Sequence, residues 1–353
     1  MRTGENIRKR KNGRWEARIY DIHTKKYHSI YAKTYQEVKE RKNEYIKSKE
    51  QPLVTSPETI ETCFLSWLND IKPLVKQSTF AKYYDIAHNH IINHLGAIKL
   101  NNLKQEDINY FIRQKVKDGL SSKTIQDIIC VFKQGIKPHN MSFIYKLPKT
   151  TKKEIKLLPE NEYKSLVHYL LIGTTPEKAG VLLALMCGLR IGELCALKWQ
   201  DIDLKNGVLH ITKTLQRIKN TDMKTDRKTK IVIDTPKSVK SLRTIPLQQL
   251  LIEKLEPLQQ KTDMYFLTST PHYMEPRAYQ KKYEEILKNC HIEYINFHAL
   301  RHTFATKSME CNMDIKSLSE ILGHYDVKFT MSQYVHSSFE HKKSQLEKLT
   351  QIL

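Results

Sequence analysis

Residues 298–302 read His298-Ala299-Leu300-Arg301-His302, and the three-residue interval puts an imidazole and a guanidinium, His298 and Arg301, on one helix face. Downstream, Leu322-Gly323-His324 predicts a helix that stops at a left-handed glycine cap, whose turn aims the following imidazole. Ten residues further, in Gln333-Tyr334-Val335-His336, stands Tyr334. Upstream, Gly188-Leu189-Arg190-Ile191-Gly192-Glu193-Leu194 sets an arginine between an apolar helix and the start of another, where free backbone N–H groups and a guanidinium can converge on an anion.

Outward from these blocks, the apolar pattern predicts helices over 160–171, 178–186 and 191–198, strands over 208–213, 230–234 and 242–247, and mainly helices beyond. The polar segment 219–229 reads as a hairpin tip, and Thr235-Pro236-Lys237-Ser238 as a turn before Arg243-Thr244-Ile245-Pro246-Leu247. Lys240 shares that turn, and Lys224, Lys228 and Lys230 are nearby. Between 55 and 150, apolar residues recur at helical spacing in four runs: Ile60 to Leu68; Phe80 to Leu95, with Ser78 as cap; Ile108, Phe111, Ile112 and Val116; and Ile125, Ile128, Ile129 and Phe132. The first fifty residues predict strands over 14–20 and 26–32 and a helix opened by Thr34-Tyr35-Gln36-Glu37 and running to about Lys49. In so small a module Trp15, Tyr20, Tyr27, Tyr31 and Tyr35 are expected to serve as core, with Arg and Lys facing outward. The expected fold is mainly α with small β-sheets (α+β) and multidomain: a three-stranded sheet plus helix over 1–50, a helical bundle over 55–150, and a mixed α/β domain over 157–353.

The 353 residues carry a net charge of +21. It is spread as +8, +5 and +8 over residues 1–50, 51–150 and 151–353, so it is no single basic tail and marks a polyanion binder. No run of about 18 apolar residues exists, and no apolar stretch follows Arg8-Lys9-Arg10-Lys11. Neither a membrane span nor a secretory signal is expected, which makes the cytoplasm the default. Cys63, Cys130, Cys187, Cys195, Cys290 and Cys311 show neither CxxC pairing nor histidine partners at zinc spacing, so they read as buried thiols and no metal is expected.

Taken together, these blocks resemble the tyrosine recombinase family, specifically the integrases of temperate phages and conjugative transposons, over nearly the whole chain. The resemblance implies an arm-site DNA-binding module at 1–50, a SAM-like core-binding domain at 55–150 and a catalytic domain with a C-terminal tail at 157–353. It also implies a catalytic set of Arg190, Lys237, His298, Arg301, His324 and Tyr334, working without metal, nucleotide or other cofactor. Tyr334 would attack a phosphodiester to form a 3′-phosphotyrosine, with Tyr325 as the nearest rival; Arg190 and Arg301 would clamp the phosphate and His324 would donate to it. His298 would act as acid and base, and Lys237, or Lys240 in the same turn, would protonate the leaving oxygen. Glu193 is expected to brace the Arg190 loop, His302 to be a hydrogen-bonding neighbour, and Asn312 to occupy a left-handed turn position where the family has glycine.

The implied partners are double-stranded DNA at core and arm sites, three further copies of the chain in a tetramer, and an excisionase or DNA-bending accessory protein, in a bacterial cytoplasm at the nucleoid. Candidate DNA contacts are Arg8, Lys9, Arg10, Lys11, Arg14 and Arg18 in the first module and Lys76, Lys82, Lys115, Lys117 and Lys123 in the bundle. A catalytically silent DNA-binding regulator, a resolvase or invertase of the same family, and a type IB topoisomerase are the alternatives. The segment 336–353 is expected to pack on a neighbouring subunit or on its own domain.

Overall fold

Alternation along one strand decides what the N-terminal module buries. In the computed structural model, which describes residues 6–10, 12–21, 26–49, 58–149, 157–222, 227–236, 241–324 and 326–334, β1 (Ile7–Lys9), β2 (Trp15–Asp21) and β3 (Lys26–Ala32) form an antiparallel sheet in that order. Register pairs Trp15 with Ala32 and Ala17 with Ile30 on one face. Helix α1 (Tyr35–Lys49) closes that face, giving a core of Ala17, Ala32 and Val38 with Ile7, Trp15 and Ile30 against it. The helix starts where Thr34 Oγ1 accepts from the Glu37 N–H at 3.2 Å and the Glu37 carboxylate accepts from the Lys33 N–H at 3.3 Å. The other face pairs Glu16 with Tyr31, Arg18 with Ser29 and Tyr20 with Tyr27. The expected aromatic core is therefore corrected: Tyr20, Tyr27, Tyr31 and Tyr35 are exposed, because α1 covers one face only and register turns the first three to the other.

The chain forms two compact units, residues 1–67 with 87–147, and 68–86 with 148–353. In chain order the next helices are α2 (Ile60–Ile71), α3 (Gln77–Ile86), which belongs to the second unit and passes through a π-helical turn (Ala87–Ile92) into α4 (Asn93–Leu95) of the first, then α5 (Gln105–Lys117) and α6 (Ser122–Ile136). Because α3 starts at Gln77, Ser78 lies inside it and is not its cap, whereas Ser121 does cap α6, accepting from the Thr124 N–H at 3.1 Å. Phe64 stacks on Phe132 with centroids 5.9 Å apart, and Gly135 lets the Phe64 ring in: a Cβ at 135 would lie 2.5 Å from it. On α5 the buried positions are Ile108, Phe111, Ile112 and Lys115, while Val116 is exposed. The Lys115 ammonium sits 2.9 Å from His94 Nε2 and 3.1 Å from Asp118 Oδ2, which removes Lys115 from the candidate phosphate contacts.

The second unit continues with α7 (Glu160–Leu171), α8 (Pro176–Cys187), α9 (Ile191–Ala196), β4 (Ile202–Asp203), β5 (Val208–Ile211), β6 (Thr214–Lys219), β7 (Thr229–Asp234) and β8 (Arg243–Pro246). It then runs through α10 (Gln249–Leu255), α11 (Pro276–Asn289), α12 (His298–Glu310), α13 (Ile315–Leu322) and α14 (Val327–Tyr334). Strands pair antiparallel as β4-β5-β8 and as the hairpin β6-β7. Helix α8 is apolar nearly all round and lies in the middle of the core, so the elements that follow it are fixed from several sides. Asn312 does take the left-handed conformation, at φ 58°. Cys63, Cys187 and Cys195 are buried, but Cys130 and Cys311 are exposed, which corrects the reading of every cysteine as a buried thiol. Lys11, Lys224, Lys237, Lys240, Tyr325 and the segment 336–353 lie outside the described residues. Among the described residues no helix is long and apolar enough to cross a membrane.

Gly135→Ala forces a methyl against the Phe64 ring, so it should destabilise the bundle by about 1–3 kcal/mol. Thermal unfolding of the full chain, followed by Trp67 fluorescence in a variant lacking Trp15 and Trp199, checks this; an unchanged transition would mean that the two helices part at no cost.

Candidate active site

Helix α8 ends at Gly188, whose φ of 66° lets its N–H return to the Ala184 carbonyl at 3.1 Å. Space requires glycine there as well, since a Cβ would meet the Phe304 ring at 2.7 Å and Leu322 at 2.8 Å. The tight turn delivers Arg190 immediately before α9. Its backbone N–H donates to Glu193 Oε2 at 3.0 Å and its Nη1 to Oε1 at 2.7 Å, so Glu193 does brace the Arg190 loop. The same buried carboxylate takes two bonds from Arg243 on β8, Nη1 at 3.0 Å and Nη2 at 2.8 Å. Arg243 reaches onward, donating from Nε to the Ile321 carbonyl at 2.6 Å and from Nη1 to the Ser241 carbonyl at 3.2 Å.

Arg301, on α12, is 1% exposed. Its Nη1 donates to the Gly188 carbonyl at 2.7 Å and its Nη2 to the Leu322 carbonyl at 2.6 Å. Both acceptors lie at helix C-termini, where carbonyls lack helical partners and the helix dipole favours a cation. His298, one turn earlier, meets His302 edge to face with centroids 4.7 Å apart. Helix α13 closes in a Schellman turn: Gly323 at φ 63°, its N–H to the Glu320 carbonyl and the His324 N–H to the Ser319 carbonyl, each at 3.0 Å. His324 Nδ1 then shares a 2.8 Å hydrogen bond with Oγ1 of Thr330, a buried residue of α14. Tyr334 is the last residue of that helix.

The charges of these groups act on one another. Burial, then the charges of His302, Arg301 and Arg190, push His298 down to about 4. Burial, then Arg301, Arg190 and Arg243, push His324 down to about 3. Burial alone would raise the Glu193 carboxyl, but the hydrogen bonds and charge of Arg243, and then Arg190, hold it at about 2. Around His298 and His324, both neutral at neutral pH, the site therefore holds three guanidiniums, one carboxylate and the His302 ring. Fixed donors of this kind stabilise negative charge that develops on a phosphoryl oxygen without reorganising first.

Of the predicted set, Arg190, His298, Arg301 and His324 come together; Tyr334 is described only by its backbone position, and Lys237 is not described. Sequence reasoning passed over Arg243 and Thr330. An arginine opening the short strand Arg243–Pro246 was a weak signal for the first, and nothing local marked the second. Lys76 is engaged, its ammonium 2.7 Å from the Thr235 carbonyl, 3.0 Å from that of Pro236 and 3.6 Å from Asp234. Lys82, Lys117 and Lys123 are exposed, with Lys123 paired to Asp127 at 3.2 Å. In the N-terminal module Arg8 and Arg10 both bond Glu16, Arg18 lies 4.6 Å over the Tyr27 ring, and Lys9 and Arg14 are exposed.

Glu193→Gln removes the countercharge of a buried arginine and should cost about 3–5 kcal/mol of stability, read from denaturant unfolding. The pH dependence has a definite sign. His298 and His324 bind protons less tightly folded, near 4 and 3, than at the ordinary 6.5. Their contribution to stability is thus complete above about 6.5 and drains away as pH falls through the folded values. His298→Gln should flatten the fall of melting temperature between pH 6.5 and 4, and an unchanged slope would show that this imidazole charges freely in the folded chain.

The phage integrase family matches residues 156–341, and the N-terminal SAM-like domain of phage integrases matches 59–116. A XerC-like tyrosine recombinase of Caldanaerobacter subterraneus subsp. tengcongensis is 29% identical over 320 residues, 81% of each chain. The ICEBs1 integrase of Bacillus subtilis is 24% identical over 329 residues, 87% of this chain and 86% of the relative. The fold resembles that of the Tn1549 transposon integrase in complex with transposon right end DNA, at a TM-score of 0.67 and 22% identity, covering 83% of this chain and 99% of the other. It also resembles a lambda integrase tetramer bound to a Holliday junction, at 0.54 and 17%, covering 94% and 95%. The chain belongs to the phage integrase family and is a tyrosine recombinase, an enzyme that cuts and rejoins DNA.

Proposed function

We propose that this recombinase integrates and excises a mobile genetic element by cutting and rejoining duplex DNA at specific sites through a 3′-phosphotyrosine at Tyr334. The observation that carries the assignment of roles is the convergence of Arg190, Arg301, His298 and His324 beside the helix that ends in Tyr334. Attack by the Tyr334 oxygen puts charge on the non-bridging oxygens, and Arg190 and Arg301 stabilise it more in the transition state than in the ground state. Neutral His298 can accept the phenol proton, which a cationic imidazole could not. Neutral His324, steadied by Thr330, donates a hydrogen bond to the phosphoryl group. Lys237 protonates the departing 5′-oxygen, with Lys240 as its neighbour in the same turn. The phosphotyrosine keeps the bond energy, so a second 5′-hydroxyl can reseal the strand.

The DNA in the related Tn1549 and lambda complexes supports duplex DNA as partner. We assign residues 1–50 to arm sites, 55–150 to core sites and 157–353 to catalysis, in a tetramer aided by an excisionase or a DNA-bending protein, at the nucleoid of a bacterial host. The arm assignment rests on the open face of the N-terminal sheet, where Arg8, Arg10 and Arg18 stand among Tyr20, Tyr27 and Tyr31. Such a face suits phosphate contact with aromatic packing. Two DNA sites per subunit would raise the effective concentration of each for the other.

Covalent trapping on a nicked duplex bearing the element's end should give an adduct with the wild type and none with Tyr334→Phe. Tight binding with no wild-type adduct would favour a silent regulator, and an adduct with the Phe variant would move the nucleophile elsewhere. Lys237→Ala should slow cleavage by about 10²–10⁴-fold. A substrate with sulfur at the 5′-bridging position should restore the rate, because a thiolate leaves without a proton; a defect that persists there would remove the general-acid role.

A further inference from the structure

Three donors of different chemistry meet where the start of α2 approaches the end of α6. Cys63, in the first turn of α2, holds Sγ 3.2 Å from Nε2 of His139, which belongs to the 3₁₀ turn Lys137–His139 that follows α6. Glu58, just ahead of α2, presents Oε2 4.0 Å from Nδ1 of the same imidazole. One donor atom from each residue lies within 4.8 Å of the other two. We propose that Glu58, Cys63 and His139 form a binding site for a borderline-soft divalent cation of the zinc class, with a water in the fourth position.

The Cys63–His139 pair is close to what such a cation needs, with His139 offering Nε2, and the Glu58 carboxylate, 4.0 Å from Nδ1, turns toward Nε2 to join them. Bonds of about 2.3 Å to sulfur and about 2.0 Å to nitrogen at tetrahedral angles separate the two donors by about 3.5 Å, so Cys63 and His139 must part by only a few tenths of an ångström. His139 is held in place by the turn: Asn140 closes it in the left-handed conformation at φ 52°, and its N–H returns to the Lys137 carbonyl at 3.2 Å. Cys63 shares a hydrogen bond with His139, and coordination would replace the thiol proton by the cation and send that proton to solvent. The resulting thiolate and the Glu58 carboxylate neutralise a dication together, which suits a half-buried place. Magnesium and calcium, which prefer all-oxygen sites, are poor occupants. Bound metal would staple the beginning of α2 to the end of α6 and close the bundle there.

The test is a titration of Co²⁺ into the reduced full chain. A thiolate-to-metal charge-transfer band and the visible bands of a four-coordinate site should appear and vanish on adding Zn²⁺, and Zn²⁺ should raise the melting temperature. Glu58→Gln should weaken binding about 10- to 100-fold. His139→Gln, a change at an exposed position whose fold circular dichroism can verify, should abolish the band, as should Cys63→Ser. No band in the wild type overturns the proposal. So does a band of full strength in either His139→Gln or Cys63→Ser, since the metal would then sit on other cysteines.

Discussion

Glu193 holds two guanidiniums with one carboxylate, and the arrangement of the candidate active site follows from that. Two charges buried together contribute little net stability, but an arginine left without its acid is costly, so the pair is kept intact or the region fails. What the arrangement supplies is position. Through Arg243 it reaches the last carbonyls of α13, and through Arg190 it fixes the one guanidinium that is 36% exposed in its side chain. Arg301 adds a second brace from below, with one hand on the end of α8 and the other on the end of α13. Helix ends that would otherwise leave carbonyls unpaired thereby become the fixtures of the site.

The histidines complement this cationic frame by staying neutral. Burial makes a positive charge expensive here, and the neighbouring arginines add to the expense, so both imidazoles stay neutral at physiological pH. A bound anion would change the balance, because its negative charge would offset the arginines and raise the affinity of each imidazole for a proton.

Much of this was legible in the sequence because the relevant intervals are short. The three-position step from His298 to Arg301, the Gly323 cap before His324 and the glycine ahead of Arg190 are local signals, and the helix over 160–171 announces itself by its apolar period. What escaped depends on contacts that sequence spacing does not encode. Glu193 and Arg243 are fifty positions apart and Cys63 and His139 seventy-six, so neither pairing has a local mark. The exposed tyrosines were misread because the composition of a small module cannot say which face of its sheet a helix will cover. On α5, Val116 and Lys115 differ by one position, and the buried stripe of Ile108, Phe111 and Ile112 selects the lysine.

The buried Glu16 of the N-terminal sheet has a cost and a return. It binds Arg8, Arg10 and the Tyr31 hydroxyl, and these partners hold its carboxyl well below the usual carboxylate range. One unit of positive charge is thereby cancelled on a face that otherwise displays arginines. In exchange, two long side chains that would sample many rotamers are already ordered when they meet a polyanion, and they surrender less conformational entropy on contact. Fewer condensed counterions are displaced than the number of arginines suggests. Association of a polyanion at this face, as proposed for the arm site, would thus be weighted toward shape and away from ionic strength.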